Sequence, residues 1–180
     1  MDHNLYTPSG PVVTRIPPSP TGRLHIGTVR TALFNYLFAK HYGGTMVFRS
    51  EDTDKERSLP EYEAEIMAGL ASLGLNWDND PIVRQSKRAA IYREHLERII
   101  AADTAYISEE PSKADPSKTV AVIRLRNQNK DITFRDLIRG EITFNTTELG
   151  DLVIARSIDD ALYHFAVVVD DALMLSLIHI

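Results

Sequence analysis

A proline-stiffened loop near the amino terminus carries the residues best suited to chemistry. The run Pro17 to Gly22 delivers His25 and Gly27 to the first turn of a predicted helix. Unpaired backbone N–H groups at a helix start attract phosphate, and His25 adds a directed donor. Gly27 has no Cβ, so an adenine ring or a phosphate could approach the backbone closely. The pattern predicts a triphosphate site, although each residue taken alone also fits a rigid connector with an exposed imidazole.

Charged residues at the ends of two neighbouring predicted strands could bind charged groups of a ligand. Arg15 ends the first strand, and the planar fork of arginine binds a carboxylate through two charge-assisted hydrogen bonds. Glu51, Asp52 and Asp54 follow the second strand, at the edge where parallel strands end. These carboxylates could accept hydrogen bonds from an ammonium group, or cap the next helix. An exposed position at a strand end is the alternative for Arg15.

Two strands and one helix must position these groups. Residues 12–16 form a β-branched run, apolar residues recur at helical spacing over 27–42, and 45–49 predicts a second strand. The two strands lie about 30 residues apart, which is the length of a βαβ unit with parallel strands. We therefore predict an α/β fold, the beginning of a doubly wound, parallel-sheet nucleotide-binding domain of Rossmann type.

Later segments predict further elements. One helix is expected to begin near Pro60, and another to cover 87–102 with Ser86 as its cap. Residues 103–118 lose the helical rhythm and predict a linker or the entry to an insertion. Short β-type runs within 119–144 predict a β-rich insert.

Two apolar runs near the carboxyl terminus, 153–156 and 163–169, predict buried strands that could rejoin the first sheet.

Composition excludes several classes of protein. The 180 residues are 43% hydrophobic, which supports one main globular domain with a small insertion. With no cysteine, the chain has no disulfide, thiolate zinc site or cysteine nucleophile. A net charge of −5 argues against a generally basic surface that coats nucleic acid, but permits a local basic patch. Neither a signal peptide nor a membrane span is evident, so we expect a cytoplasmic protein without membrane contact.

The fourteen residues from Arg15 to Thr28 together resemble the signature of class I aminoacyl-tRNA synthetases. The family motif His-Ile-Gly-His reads His25-Ile26-Gly27-Thr28 here, and a fourth residue other than histidine is common in the glutamyl group. The preceding Pro18-Ser19-Pro20-Thr21-Gly22 points to glutamate, so the chain resembles the glutamyl-tRNA synthetases. Four further blocks are similar to the same family: 30–39, 48–58, 134–142 and 162–171.

The resemblance implies ATP-dependent activation of glutamate and its transfer to tRNA(Glu), with Mg²⁺ accompanying ATP and without zinc. We expect a monomer with no metal held by protein side chains. The residues that the resemblance assigns are His25 and Thr28 for catalysis; Pro18, His25, Gly27 and Thr28 for ATP; and Arg15, Ser19, Glu51 and Tyr163 for glutamate.

The resemblance also implies how the chain is divided. The chain lacks three features of the family: the lysine-containing Lys-Met-Ser-Lys-Ser-type loop, a further pocket arginine and the anticodon-binding region. We therefore expect an inactive fragment. Two alternatives remain open, namely a shortened paralogue that glutamylates the queuosine base of tRNA(Asp), and a non-catalytic fragment that binds nucleotide or RNA. The expected segments are an extension (1–10), the first half of the catalytic domain (11–102), an inserted acceptor-binding segment (103–150), a return to the catalytic domain (151–174) and a non-native tail (175–180).

Overall fold

The computed structural model of the protein describes residues 10–112 and 115–174. These residues form two compact units, one made of 10–89 with 166–174 and the other of 90–112 with 115–165. The expected tail at 175–180, and all but Gly10 of the expected amino-terminal extension, lie outside the described residues.

The first unit is built on a parallel sheet. Strand β1 (Val13–Ile16) leads through the proline loop into helix α1 (Ile26–His41), and strand β2 (Thr45–Ser50) follows. The two strands are parallel, with Val13 opposite Thr45 and Ile16 opposite Phe48. The predicted βαβ unit is therefore confirmed. Helix α2 (Pro60–Ser72) then leads to a short strand β3 (Val83–Arg84), which pairs in parallel with β2 and completes the order β1-β2-β3.

Apolar side chains from α1, α2 and the strands form the core of this unit. Small residues on α1, Ala32 and Ala39, are completely buried, so the helix can lie close to the sheet. Gly44 permits an equally close approach at the start of β2, because a Cβ there would lie 2.2 Å from the carbonyl oxygen of Val12. The buried core residues are Ile16, Ala32, Ala39, Met46, Phe48, Ile66, Leu70 and Leu75.

The second unit is an antiparallel assembly. Helix α3 (Ala89–Ala101) precedes strands β4 (Ala105–Pro111) and β5 (Thr119–Leu125), and a hairpin of β6 (Asp131–Asp136) and β7 (Gly140–Asn145) follows. Strands β8 (Leu152–Ser157) and β9 (Asp160–Ala161) complete a sheet of order β4-β5-β8-β9. The predicted β-rich character of 119–144 is confirmed. The core of this unit consists of Leu96, Ala105, Ile123, Ile154 and Ala155.

Two predictions about the region after α3 are wrong. Residues 105–111, which were expected to belong to a linker or to the entry of an insertion, form β4, because every residue from Ala105 to Pro111 has a partner on β5. The linker alternative is the one that is wrong. Pairing with a neighbour overrides the serine- and glutamate-rich composition that suggested a loop. Residues 153–156 do form a strand, but it pairs antiparallel with β5 rather than with the first sheet.

Two further predictions are wrong, one about the last helix and one about the cap of α3. The run 163–169 lies in helix α4 (Tyr163–Leu173) instead of a strand, and its buried residues Ala166, Val169 and Asp170 follow helical spacing. Ser86 does not cap α3. It lies in a short 3₁₀ helix (Gln85–Lys87), and its hydroxyl donates to Asp52 over 2.5 Å. Among the helices that the structure describes, none is both long and apolar enough to span a membrane.

Candidate active site

His25 caps the helix that begins at the proline loop. Its backbone is extended, and its Nδ1 accepts a hydrogen bond from the Gly27 N–H over 3.2 Å. The other ring nitrogen, Nε2, lies 3.2 Å from the hydroxyl oxygen of Thr28. Because Nδ1 accepts, the neutral imidazole must carry its proton on Nε2, which then donates to Thr28. The cap therefore fixes the tautomer of His25 and directs an N–H donor over the exposed first turn.

Gly27 makes room for the imidazole of its own cap. A Cβ at this position would lie 3.0 Å from both Cε1 and Nδ1 of His25, which is closer than ordinary packing allows. The structure thus gives Gly27 a local role in seating the histidine. Its predicted role, close approach of a ligand to the backbone, stays a prediction.

Backbone hydrogen bonds fasten the proline loop to the end of β2. The Glu51 N–H donates to the carbonyl of Pro18 over 2.9 Å, and the Leu59 N–H donates to that of Pro20 over the same distance. Pro18 and Pro20 are buried, whereas Ser19 between them is exposed. The loop is thereby held as a rigid platform beside the strand ends.

Arg15 forms a two-bonded ion pair with a carboxylate far along the chain. Its Nε donates to Oδ1 of Asp171 over 2.6 Å, and its Nη2 donates to Oδ2 over 2.9 Å. Asp171 is almost completely buried, and the Arg15 side chain keeps 13% of its exposure. Planar matching of this kind is the strongest form of the arginine–carboxylate interaction.

A second arginine, Arg49, is completely buried beneath this pair. Its Nη1 donates to Oδ1 of Asp171 and its Nη2 donates to Oε1 of Glu51, both over 2.7 Å. Burial alone would raise the pKa of Asp171, but hydrogen bonds and charge from Arg15 and Arg49 hold that pKa below its ordinary value. Burial likewise opposes the charge on Arg49, whereas hydrogen bonds with Glu51 and Asp171 raise its pKa. Arg49 and Asp171 therefore stay ionised although they are largely removed from water.

The neighbouring Asp170 extends this buried polar cluster. One of its oxygens accepts from Gln85 Nε2 over 3.0 Å, and the other accepts from Arg88 Nε over 2.7 Å. Sequence reasoning missed Arg49, Asp170 and Asp171 as site residues. The available signal was two consecutive acidic residues directly after an apolar run, which is unusual unless those carboxylates have partners.

The first unit contains most of the residues predicted for the site. Tyr163, the exception, is the first residue of α4 and belongs to the second unit, where it is half-exposed and lies edge-on to His164. Within the residues 10–112 and 115–174, no group of three or more metal-binding side chains is placed to hold an ion. The predicted residues that lie in the first unit are Arg15, Pro18, Ser19, His25, Gly27, Thr28 and Glu51.

Comparison with known proteins assigns this arrangement to a class. Residues 11–114 and 107–179 match the family model for the catalytic domain of class I tRNA synthetases (E and Q). The chain therefore belongs to the class I tRNA synthetase catalytic-domain family.

The individual relatives are glutamate–tRNA ligases, which confirms the resemblance found in the sequence. The ligase of Oleidesulfovibrio alaskensis is 41% identical over 189 residues, covering 91% of this chain and 40% of its own. The crystal structure of a glutamate tRNA ligase from Elizabethkingia meningosepticum, in complex with its amino acid, superposes with a TM-score of 0.80 at 33% identity, covering 92% of this chain and 42% of that one. The corresponding enzyme of Elizabethkingia anophelis gives the same TM-score and identity. The chain thus spans about two fifths of the length of these relatives.

Proposed function

We propose that the chain carries the ATP- and glutamate-binding part of a glutamate–tRNA ligase acting on tRNA(Glu). The observation that carries this proposal is the cap at the start of α1, where His25, Gly27 and Thr28 hold an imidazole N–H over an exposed helix start. A helix start attracts phosphate, and the oriented N–H adds a donor at the same place. We further propose that the protein is a cytoplasmic monomer.

The proposed reaction has two steps. The α-carboxylate of glutamate attacks the α-phosphate of ATP in line, forming glutamyl-adenylate as pyrophosphate departs. The terminal ribose hydroxyl of tRNA(Glu) then attacks the carbonyl carbon of the adenylate, and AMP departs. Mg²⁺ accompanies ATP and neutralises charge on its phosphates. The protein contributes mainly by positioning the reactants and by stabilising developing charge.

Four residues of the loop and of the start of α1 have a proposed part in the first step. When ATP binds, the Nε2 N–H of His25 donates to a phosphate oxygen instead of to Thr28. The Thr28 hydroxyl can then donate to the phosphate beside it. Pro18 and Gly27 shape the surface against which the nucleotide lies. The 2.9 Å bond from Glu51 to Pro18 supports this assignment, because it keeps the loop fixed while the charges change.

The glutamate site is proposed at the neighbouring strand ends. Arg15 binds the side-chain carboxylate, with Ser19 as a further contact, and Glu51 accepts from the α-amino group. The role of Tyr163 as a wall of an amino-acid pocket stays a prediction. Support for this pair comes from the ion pairs that link Arg15 to Glu51 through Asp171 and Arg49.

Glutamate-dependent exchange of pyrophosphate into ATP tests the proposal. We expect no exchange by the 180 residues alone, because they span only about two fifths of the length of the related ligases. A fusion of residues 1–174 to the remaining part of the Oleidesulfovibrio alaskensis ligase should exchange. In the fusion, His25→Ala should lower exchange by about a hundredfold, the usual cost of losing one such donor, with little change in glutamate binding.

The control for helix capping is His25→Asn. Asparagine is a good cap, so it should preserve the stability of α1, but it cannot replace the Nε2 donor and should lose exchange like alanine. Unchanged exchange in either variant would remove His25 from its proposed role. A fusion that glutamylates tRNA(Asp) instead of tRNA(Glu) would favour the paralogue.

A further inference from the structure

Asp171 occupies one hydrogen-bonding edge of Arg15 and leaves the other edge open. It takes the edge formed by Nε and Nη2, at 2.6 and 2.9 Å. A guanidinium carries five N–H donors in one plane, so its Nη1/Nη2 edge can hold a second carboxylate. In the part of the chain that the structure describes, Arg15 Nη1 donates to no other group. Arg15 can therefore keep Asp171 and bind a substrate carboxylate at the same time.

Asp171 is itself held rigidly by Arg49. Its Oδ1 accepts from Arg49 Nη1 as well as from Arg15 Nε, and the Arg49 side chain is completely buried. Rotation of the carboxylate would break bonds to both arginines at once. The orientation of the Arg15 guanidinium is thus set by a buried partner rather than by solvent.

The same carboxylate connects the two ends of the proposed amino-acid site. A continuous chain of hydrogen bonds runs from Arg15 through Asp171 and Arg49 to Glu51. Two positive and two negative side chains balance along it. A substrate that brings a carboxylate to Arg15 and an ammonium group to Glu51 preserves that balance. Glutamine does not, because its side chain is neutral and, when its amide oxygen accepts from Arg15, its NH₂ group would face another donor of Arg15.

We propose that Asp171 is a positioning residue that aims the open edge of Arg15 at the side-chain carboxylate of glutamate, and thereby sets the preference for glutamate over glutamine. The inference rests on the proposed function, which assigns Arg15 to the substrate. Asp171 makes no contact with substrate in this scheme and acts through Arg15.

Titration of the 180-residue chain with L-glutamate and with L-glutamine, followed by NMR, tests this role. Asp171→Asn preserves the shape but removes the charge, and its Nδ2 would face a guanidinium donor. We expect the dissociation constant for glutamate to rise about tenfold, because a charge-assisted pair is lost, while that for glutamine barely changes. Glu63→Gln is the matched control. Glu63 is a largely buried carboxylate that accepts from Arg84 Nε and Nη2 over 2.9 and 2.6 Å. Arg84 is not part of the chain from Arg15 to Glu51, so this variant should keep the glutamate preference.

The outcomes distinguish a failure of the role of Asp171 from a failure of the proposed function on which that role rests. An unchanged glutamate-to-glutamine ratio in folded Asp171→Asn, or an equal loss in Glu63→Gln, overturns the inference alone. If the unsubstituted chain binds no glutamate, the proposed site fails, and the role of Asp171 fails with it. Should Asp171→Asn not fold, Asp171→Glu keeps the carboxylate on a side chain one methylene longer. It should weaken glutamate binding in the same direction, and unchanged binding would again overturn the inference.

Discussion

Replacing the buried Arg49 with methionine should destabilise the protein by about 3 kcal/mol. The substitution removes two charged hydrogen bonds of 2.7 Å and leaves Glu51 and Asp171 buried without that donor. Breaking a buried ion pair by removing one partner costs about 3–5 kcal/mol. The lower end applies because Asp171 keeps its two bonds to Arg15. For a chain of this size, such a loss lowers the melting temperature by roughly 6–12 °C.

Thermal unfolding followed by circular dichroism measures this effect, and Arg57→Met supplies the control. Arg57 pairs with Asp54 over 2.6 Å, but the Arg57 side chain is 74% exposed. Exposed pairs contribute about 1 kcal/mol or less. The two arginine pairs have similar distances and differ in burial, so the comparison isolates the cost of leaving a charge in the interior.

Equal melting temperatures for the two variants would refute this reasoning. That result would mean that Glu51 and Asp171 find water or another donor when Arg49 is removed, so the cluster could not be treated as buried.

Two further predictions concern the close packing at Gly44 and the dependence of stability on acid pH. Gly44→Ala should lower the free energy of unfolding in urea by about 1–3 kcal/mol, because its Cβ would meet the Val12 carbonyl at 2.2 Å and that backbone cannot move freely. Gly22→Ala, which meets no atom within 4 Å, should stay within about 0.5 kcal/mol, and an equal loss in both variants would contradict the clash. Since the pKa of Asp171 is lowered from 3.8 in the folded state, its stabilising contribution is full above that pH and is lost as the pH falls below it. Urea unfolding should therefore show a shallower acid dependence in Asp171→Asn, and an unchanged slope would show that Asp171 does not contribute.

The sequence predicted the first βαβ unit well because its signals are local. A β-branched run and a helical repeat of apolar residues each act over a few neighbouring positions, and β1, α1 and β2 follow the predicted ranges within one or two residues. The prediction that 163–169 forms a strand is wrong for a physical reason. Three consecutive valines favour a strand in isolation, but only helical spacing buries Ala166, Val169 and Asp170 together.

The candidate site also contains a part that local sequence signals predict and a part that they do not. His25, Gly27 and Thr28 interact over three residues, so their arrangement could be anticipated from the motif. The pairing of Arg15 with Asp171 joins positions 156 apart, and that of Arg49 with Asp171 joins positions 122 apart. No periodicity or turn signal reports on contacts of that range. Arg49 consequently looked like one more residue at the end of a strand.

These long separations give the chain an order of assembly. During synthesis, Arg15 and Arg49 are made well before α4, so the parallel sheet must wait for its central carboxylate while the second unit is translated. That second unit has a core of its own, and folding it brings the ends of the intervening segment closer than a random chain would. Asp171 is therefore the last of the four linked side chains to be synthesised, and Arg15 can gain its buried partner only once this part of α4 has been made.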